Sequence, residues 1–454
     1  MQYQKSIIRW ANRLSPVQIL LLFYFFAVLL STIIMSLPFV YQEGVEMPFI
    51  DILFTAVSAL SVTGLSSISI ADTLSTTGII LLAAILQLGA VGVMAIGTFI
   101  WLLLGKKIGL KERRLIMTDQ NQTTFEGMVR LIKQIVYVLL TIEFLGFMIL
   151  GTYFLQYFDT AKEAYLHGFF GTISAVSNGG FDITGSSLIP FKDDYFVQFI
   201  NMLLIIFGAI GFPVLIEVKE YIFAKSDNRK HVRFSLFTKV TTSTFLFLII
   251  IGALFMYLLD VTHFFADKSW HEAFFYSLFQ SVTTRSGGLS TMDVSQLTEE
   301  NHLFMSLLMF IGASPSSAGG GIRTTTFLLV VIFIITYARG GKSIRLFNRE
   351  VYDEDLLKAV TVTLMALIMV FTSIILISIA EPFSLTQILF EVTSAFGTVG
   401  LSLGITSELT SFSKVILMLL MFIGRVGIIT FLFIFKNNKK SGNYHYPKEK
   451  LIIG

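Results

Sequence analysis

Four segments of this 454-residue chain close on a glycine, at Gly64, Gly180, Gly288 and Gly400, spaced by about 110 residues. Aligned on those glycines, they share further positions. Phe54, Phe170, Leu278 and Phe390 stand ten residues upstream; Ser58, Ser174, Val282 and Ser394 stand six upstream. Ala59, Ala175, Thr283 and Ala395 stand five upstream, and Leu65, Phe181, Leu289 and Leu401 follow directly. Frequent small residues at helix interfaces explain one or two such matches, not an evenly spaced set. The chain reads as one unit used four times.

Composition decides where such units can live. With 54% hydrophobic and 14% charged residues, the chain carries too much apolar surface for a soluble fold of this length. It reads as an integral membrane protein. The sequence has no Cys, which excludes disulfides and thiolate metal sites, and a net charge of +3 carries no nucleic-acid signal. The first sixteen residues are basic and polar, with Lys5, Arg9 and Arg13. The apolar run after them is long enough to stay as a span, so no cleavable signal peptide is read.

About 20 apolar residues suffice to cross a bilayer core. Eight windows qualify: residues 17–40, 76–104, 134–157, 196–222, 238–259, 302–337, 358–380 and 411–435. Inside each pair lies a shorter segment of about a dozen residues that ends at one of the four glycines. It is too short to cross, and a re-entrant helix with a returning loop fits it. Irregular backbone at that depth survives only where it is buried in protein or lines a watery cavity. The expected fold class is an all-α integral membrane protein of four helix–pore-loop–helix units, with eight transmembrane helices and four re-entrant pore helices around one central pore. The expected units are 17–115, 116–230, 231–345 and 346–436, flanked by termini 1–16 and 437–454.

Basic residues orient the chain. Lys106, Lys107, Lys111, Arg113 and Arg114, then Lys225, Arg229, Lys230 and Arg233, then Arg339, Lys342, Arg345 and Arg349, join successive units, and Lys436, Lys439 and Lys440 follow the last. The positive-inside bias places them, and both termini, in the cytoplasm. Acids such as Glu43, Glu46, Asp159, Asp193, Asp194, Asp260, Glu299, Glu300, Glu381 and Glu408 flank the glycine loops instead. The loops then enter from outside the cell membrane, where an acidic mouth either concentrates cations or is ordinary solvated surface.

Four such loops at one axis can offer backbone carbonyls in place of a cation's hydration shell, and glycine supplies the backbone angles that turn them inward. The loops are Ser61-Val62-Thr63-Gly64-Leu65, Ser177-Asn178-Gly179-Gly180-Phe181, Thr284-Arg285-Ser286-Gly287-Gly288-Leu289 and Gly397-Thr398-Val399-Gly400-Leu401. The candidate filter residues are Val62, Thr63 and Gly64; Asn178, Gly179 and Gly180; Ser286, Gly287 and Gly288; Thr398, Val399 and Gly400. Arg285 must turn away from an ion there or pair with an acid. Asn178 either presents a side-chain oxygen to the pore or shapes its loop.

Through residues 62–65 (Val-Thr-Gly-Leu), 396–401 (Phe-Gly-Thr-Val-Gly-Leu) and 422–425 (Phe-Ile-Gly-Arg), and over essentially its whole length, the chain resembles the membrane subunit (KtrB-like) of the Ktr potassium-uptake systems, in the superfamily of Trk and HKT transporters. That resemblance implies a filter with one glycine per loop, and it associates serine at the first of these positions with sodium selectivity. Gly64 at that position implies potassium as the main substrate, with sodium as a possible co-regulator or lesser permeant ion. It further implies a homodimer with one pore per protomer and a separate cytoplasmic nucleotide-binding (KtrA-like) ring. No nucleotide fingerprint stands in this chain itself, and the basic loops are candidate docking surfaces or simply positive-inside bias.

Gly89-Ala90-Val91-Gly92, Gly208-Ala209-Ile210-Gly211 and Gly424-Arg425-Val426-Gly427 recur in the second helices of three units and read as close packing through small residues. The third unit instead carries Gly312, Ala313, Ser314, Pro315, Ser316, Ser317, Ala318, Gly319, Gly320 and Gly321. That run cannot hold a helix, so an intramembrane loop below the filter is expected, which the resemblance implies is the gate. A broken helix forming a carrier's substrate site is the rival physical reading. Arg425 is expected to face that loop, donate to its carbonyls and hold it shut. A cation-coupled secondary transporter would need an intramembrane carboxylate, for which Glu143, Glu217 and Glu391 are the candidates. No cluster of nucleophile, base or metal ligands suggests an enzyme or a bound cofactor. His167 and His271 near pore-helix starts read as capping or surface residues.

Overall fold

The computed structural model describes residues 15–103, 128–224, 233–341 and 343–432, with positions 109, 113, 117, 447 and 449. Most of the basic positions assigned above to the cytoplasmic side lie outside the described residues: Lys106, Lys107, Lys111, Arg114, Lys225, Arg229, Lys230, Lys342, Lys436, Lys439 and Lys440. Arg113, Arg233, Arg339, Arg345 and Arg349 lie within them.

The described chain is mostly helical. In order, its main helices are α1 (Pro16–Met35), α2 (Phe49–Ser61), α3 (Thr76–Val91), α4 (Val93–Leu103), α5 (Met128–Tyr153), α6 (Ala161–Ser177), α7 (Tyr195–Ala209) and α8 (Phe212–Phe223). Then come α9 (Leu236–Asp260), α10 (Trp270–Thr283), α11 (Glu299–Ile311), α12 (Thr324–Ala338), α13 (Asp353–Ala380), α14 (Leu385–Gly397), α15 (Ser411–Val426) and α16 (Ile428–Leu432). A two-residue antiparallel pair, β1 (Arg345–Leu346) with β2 (Arg349–Glu350), departs from the all-α expectation.

Local sequence sets most helix starts. Ser15 caps α1 in a reciprocal box with Gln18, with Pro16 at the first helical position, and Ser269 with Glu272 and Ser384 with Gln387 do the same for α10 and α14. Each box satisfies two backbone donors that a helix start would otherwise leave bare.

The spans around α1, α5, α9 and α13 are apolar and long enough to cross a membrane. Each buries only a minority of its window, from 28 to 39%. Phe25, Leu30, Phe144, Ile250, Phe371 and Ile379 are among the large apolar side chains left exposed on them, the pattern of a surface solvated by lipid. The expected spans 76–104, 196–222 and 411–435 are not single helices, and 302–337 is interrupted by the loop expected within it. They break at Gly92, at Gly211 with a 107° bend, across residues 312–323, and at Gly427. At the three single-glycine breaks φ is 95, 103 and 93°, which ends a right-handed helix and which side-chain-bearing residues rarely adopt.

The short helices α2, α6, α10 and α14 are anchored in the core by one aromatic ring each. Phe54, Phe170, Phe279 and Phe390, one on each, are completely buried. The third falls one residue later than the sequence alignment at Leu278 expects.

Candidate functional site

Each buried short helix ends in a strained turn. Two residues before the glycine, Val62, Asn178, Ser286 and Thr398 have φ of 57, 59, 80 and 47°, and the glycines themselves have 90, 66, 73 and 96°. Left-handed backbone costs a non-glycine residue about 1–2 kcal/mol, and a β-branched valine or threonine is an outlier there. Hydrogen bonds back to the helix hold the turn. Thr63 N donates to Ser58 O (2.8 Å), Gly179 N to Ser174 O (2.7 Å), Gly287 N to Thr283 O (2.6 Å) and Val399 N to Ser394 O (2.9 Å).

The same four residues use their hydroxyls on the loop. Ser58 Oγ and Ser394 Oγ accept from Gly64 N and Gly400 N, each at 3.1 Å. Ser174 Oγ and Thr283 Oγ1 donate to Phe181 O and Leu289 O, each at 2.6 Å. The counterpart of Ser58 is therefore Thr283 and not Val282. The third turn is one residue tighter, so aligning on the glycine displaces that helix by one, as the buried Phe279 also shows.

The glycines meet one another. A Cβ built on Gly64 would lie 2.4 Å from Gly179 O, one on Gly180 2.9 Å from Gly288 Cα, one on Gly288 2.3 Å from Val399 O, and one on Gly400 2.3 Å from Thr63 O. Those contacts close a ring of four backbones. The carbonyls of Thr63, Gly179, Gly287 and Val399, each just before a glycine, all lie at this junction. Hard oxygens of this kind can replace the water around a monovalent cation. On one side the ring opens into a cavity of about 540 Å³, lined by all four glycines with Asp182, Asp293, Ser402 and Thr406 among others.

Side chains around the ring mostly brace it. Ser286 Oγ donates to Thr398 O at 2.5 Å. Asn178 turns its amide onto α7, where Nδ2 donates to Ile205 O at 3.4 Å and Oδ1 packs on Gly208. Arg285 is fully buried, and none of its three nitrogens has a hydrogen-bond partner among the described residues. Of the two alternatives for Arg285, pairing with an acid is not found among the described residues.

On the other side of the ring lies the loop of residues 312–321. A Cβ on Gly319 would meet Ser286 Oγ, and one on Gly320 Thr398 Oγ1, both at 2.5 Å. The loop docks into the break between α7 and α8. Ser314 N donates to Ala209 O (3.0 Å), Ala318 N to Gly208 O (3.1 Å), and Phe212 N to Ser316 O (2.8 Å). Backbone groups that both broken helices leave bare thus satisfy each other, as buried peptides require. Arg425, also buried, spans a second break: Nη1 donates to Ser317 O (3.2 Å) and Ala318 O, while Nη2 donates to Gly89 O and Ala90 O (2.8 Å) at the end of α3.

A second arginine, missed in the sequence, acts on the same loop. Arg323, at φ 83°, donates through Nη1 to Ser314 O at 3.4 Å and to Gly319 O. Its signal was available, because a cation directly after a glycine run inside an apolar stretch needs buried acceptors.

The comparisons with known proteins agree on one family. Residues 17–445 match the family described as TrkH, cation transport protein. The chain belongs to the TrkH family. It is 57% identical to the Ktr system potassium uptake protein D of Bacillus subtilis, across 97% of this chain and 98% of that one. It is 34% identical to the Ktr system potassium uptake protein B of the same organism, across 100% of both. The potassium/sodium uptake protein NtpJ of Enterococcus hirae is 31% identical across 98% of this chain and 99% of that one. The crystal structure of the potassium transporter TrkH from Vibrio parahaemolyticus superposes with a TM-score of 0.69 at 21% identity, covering 91% of this chain and 84% of that chain. The fold is TrkH-like.

Within this TrkH-family fold the three candidate carboxylates have separate settings. Glu143, buried on α5, accepts from Gln87 Nε2 at 3.0 Å. Glu217 accepts from Ser235 N at 3.0 Å. Glu391, buried on α14, accepts from the hydroxyls of Ser402 and of Thr406 (3.0 Å). A buried ion pair, Lys414 to Asp51 at 2.7 Å, joins α15 to α2.

Proposed function

We propose that the chain is the potassium-translocating membrane subunit of a Ktr-type uptake system and that it conducts by a channel-like route. The observation that carries this reading is the closed ring of four glycine backbones, with the preceding carbonyls at the junction and an open cavity on one side. The names of its relatives, potassium uptake in two cases and potassium/sodium uptake in a third, supply the ion.

In this reading the fold is four units, 17–115, 116–230, 231–345 and 346–436, each contributing a long outer helix, a re-entrant pore helix, a filter loop and a broken inner helix. Residues 62–64, 178–180, 286–288 and 398–400 form the filter through their main chain. Asn178 contributes loop shape, since its amide is engaged with α7. The loop 312–321 closes the path beneath the filter, held by Arg425 and Arg323. Both termini lie in the cytoplasm, the protein is a homodimer, and a cytoplasmic nucleotide-binding ring sets the opening of the loop.

The test is cation flux into proteoliposomes containing the purified protein, with potassium and sodium in competition. Wild type is expected to show saturable flux favouring potassium, and Gly64→Ser to lose much of that preference, because a side chain there meets Gly179 O. Absence of cation flux in folded, inserted protein assayed with its cytoplasmic partner would overturn the reading and favour a cation-coupled carrier.

A further inference from the structure

From Glu391 we infer a specificity-determining role: it is a positioning residue that braces the fourth filter loop and sets potassium preference through Gly400. This inference rests on the filter reading above.

The residues following the buried phenylalanines of the four short helices are Thr55, Gly171, Gln280 and Glu391. Only the last is charged. Among the described residues, Thr55 Oγ1 and both amide atoms of Gln280 have no hydrogen-bond partner. Glu391 instead reaches across to the limb that leaves the filter. Ser402 Oγ donates to one carboxyl oxygen and Thr406 Oγ1 donates to the other at 3.0 Å. Ser402 Oγ also accepts from Gly404 N at 2.9 Å. One buried group therefore ties down Ser402 and Thr406, which line the cavity together with Gly400 and Gly404.

The second and third limbs are held differently. Leu188 N donates to Ser290 O at 2.9 Å, and Ser290 N to Ser187 Oγ at 2.8 Å, so those two limbs support each other. The fourth limb leans on its own pore helix through a buried carboxyl group that accepts from two hydroxyls. Gly400 is two residues from Ser402; Thr63 O lies against Gly400, and Val399 O, directly before it, lies against Gly288. A slack fourth limb would let those oxygens relax toward the smaller sodium ion, while fold and conduction persist.

The experiment compares wild type, Glu391→Gln, the pair Ser402→Ala with Thr406→Val, the combination of all three, and Gly64→Ser. Potassium and sodium flux into proteoliposomes and thermal unfolding are both measured. Glu391→Gln is expected to reduce the potassium-over-sodium ratio about tenfold, which is about 1.4 kcal/mol of discrimination. The hydroxyl pair should reproduce that loss, and the combination should add nothing to it. If Gly64→Ser lowers the ratio while Glu391→Gln leaves it unchanged, the brace is overturned and the filter reading stands. If neither changes it, both fall. Should Glu391→Gln fail to fold, the hydroxyl pair decides, and an unchanged ratio in that folded protein overturns the inference.

Discussion

At the scale of single residues, the two glycines of each Gly-x-x-Gly mark do different work. The first makes a contact: a Cβ on Gly89 would lie 2.3 Å from Leu60 O, one on Gly208 2.1 Å from Val176 O, and one on Gly424 2.0 Å from Phe396 O. The inner helices therefore rest on the carbonyls that end α2, α6 and α14. The second glycine supplies the break. Packing through small residues, read from sequence, accounts for the first and misses the second. Gly424→Ala should then destabilise by about 1–3 kcal/mol, the usual cost of overpacking. Gly97→Ala, where nothing lies within 4 Å, should be neutral or stabilising by up to about 1 kcal/mol. Thermal unfolding in detergent separates the two, and equal midpoints would refute the contact argument.

At the scale of elements, the loop 312–321 is held from two directions. Arg323 ties it to itself, whereas Arg425 ties it to the end of α3. A hydrogen bond from a charged group contributes about 1.5–3 kcal/mol, and each 1.4 kcal/mol changes a two-state population about tenfold. Arg425→Ala is therefore expected to raise potassium flux about tenfold or more, until the open state saturates. Arg323→Ala should raise it too, since Ser314 O and Gly319 O each lose a charged donor. Flux that is unchanged or lower, in protein with a normal unfolding transition, would count against the loop as a gate.

At the scale of the molecule, the ring needs the first and last glycine turns to meet. Lys414 on α15 and Asp51 on α2 are 363 residues apart, and their bond is 2.7 Å long. Both side chains are largely shielded, at 7 and 14% exposure. Removing one partner strands a charge and costs about 3–5 kcal/mol. Lys414→Met should lower the unfolding midpoint clearly, and adding Asp51→Asn should recover part of the loss. A double variant no better than the single would show that the pair does not couple the two units.

Much of this protein follows from its sequence alone, for local physical reasons. Composition and length of apolar runs require a membrane fold, and repeated glycines with their upstream Phe, Ser and Ala mark where four helices end. The ten-residue loop 312–321 was legible because no helix tolerates its glycines and proline. Other features depend on partners distant in the chain, and only the tertiary structure decided them. The one-residue offset that pairs Thr283 with Ser58 depends on how tightly the third turn closes. The breaks at Gly92 and Gly211 persist because arginine and loop donors arrive to satisfy the freed carbonyls. Glu391, read as a lone intramembrane acid, gains its meaning from Ser402 and Thr406. A sequence gives the propensity of each segment, whereas the fate of a buried polar group depends on which distant atom comes to meet it.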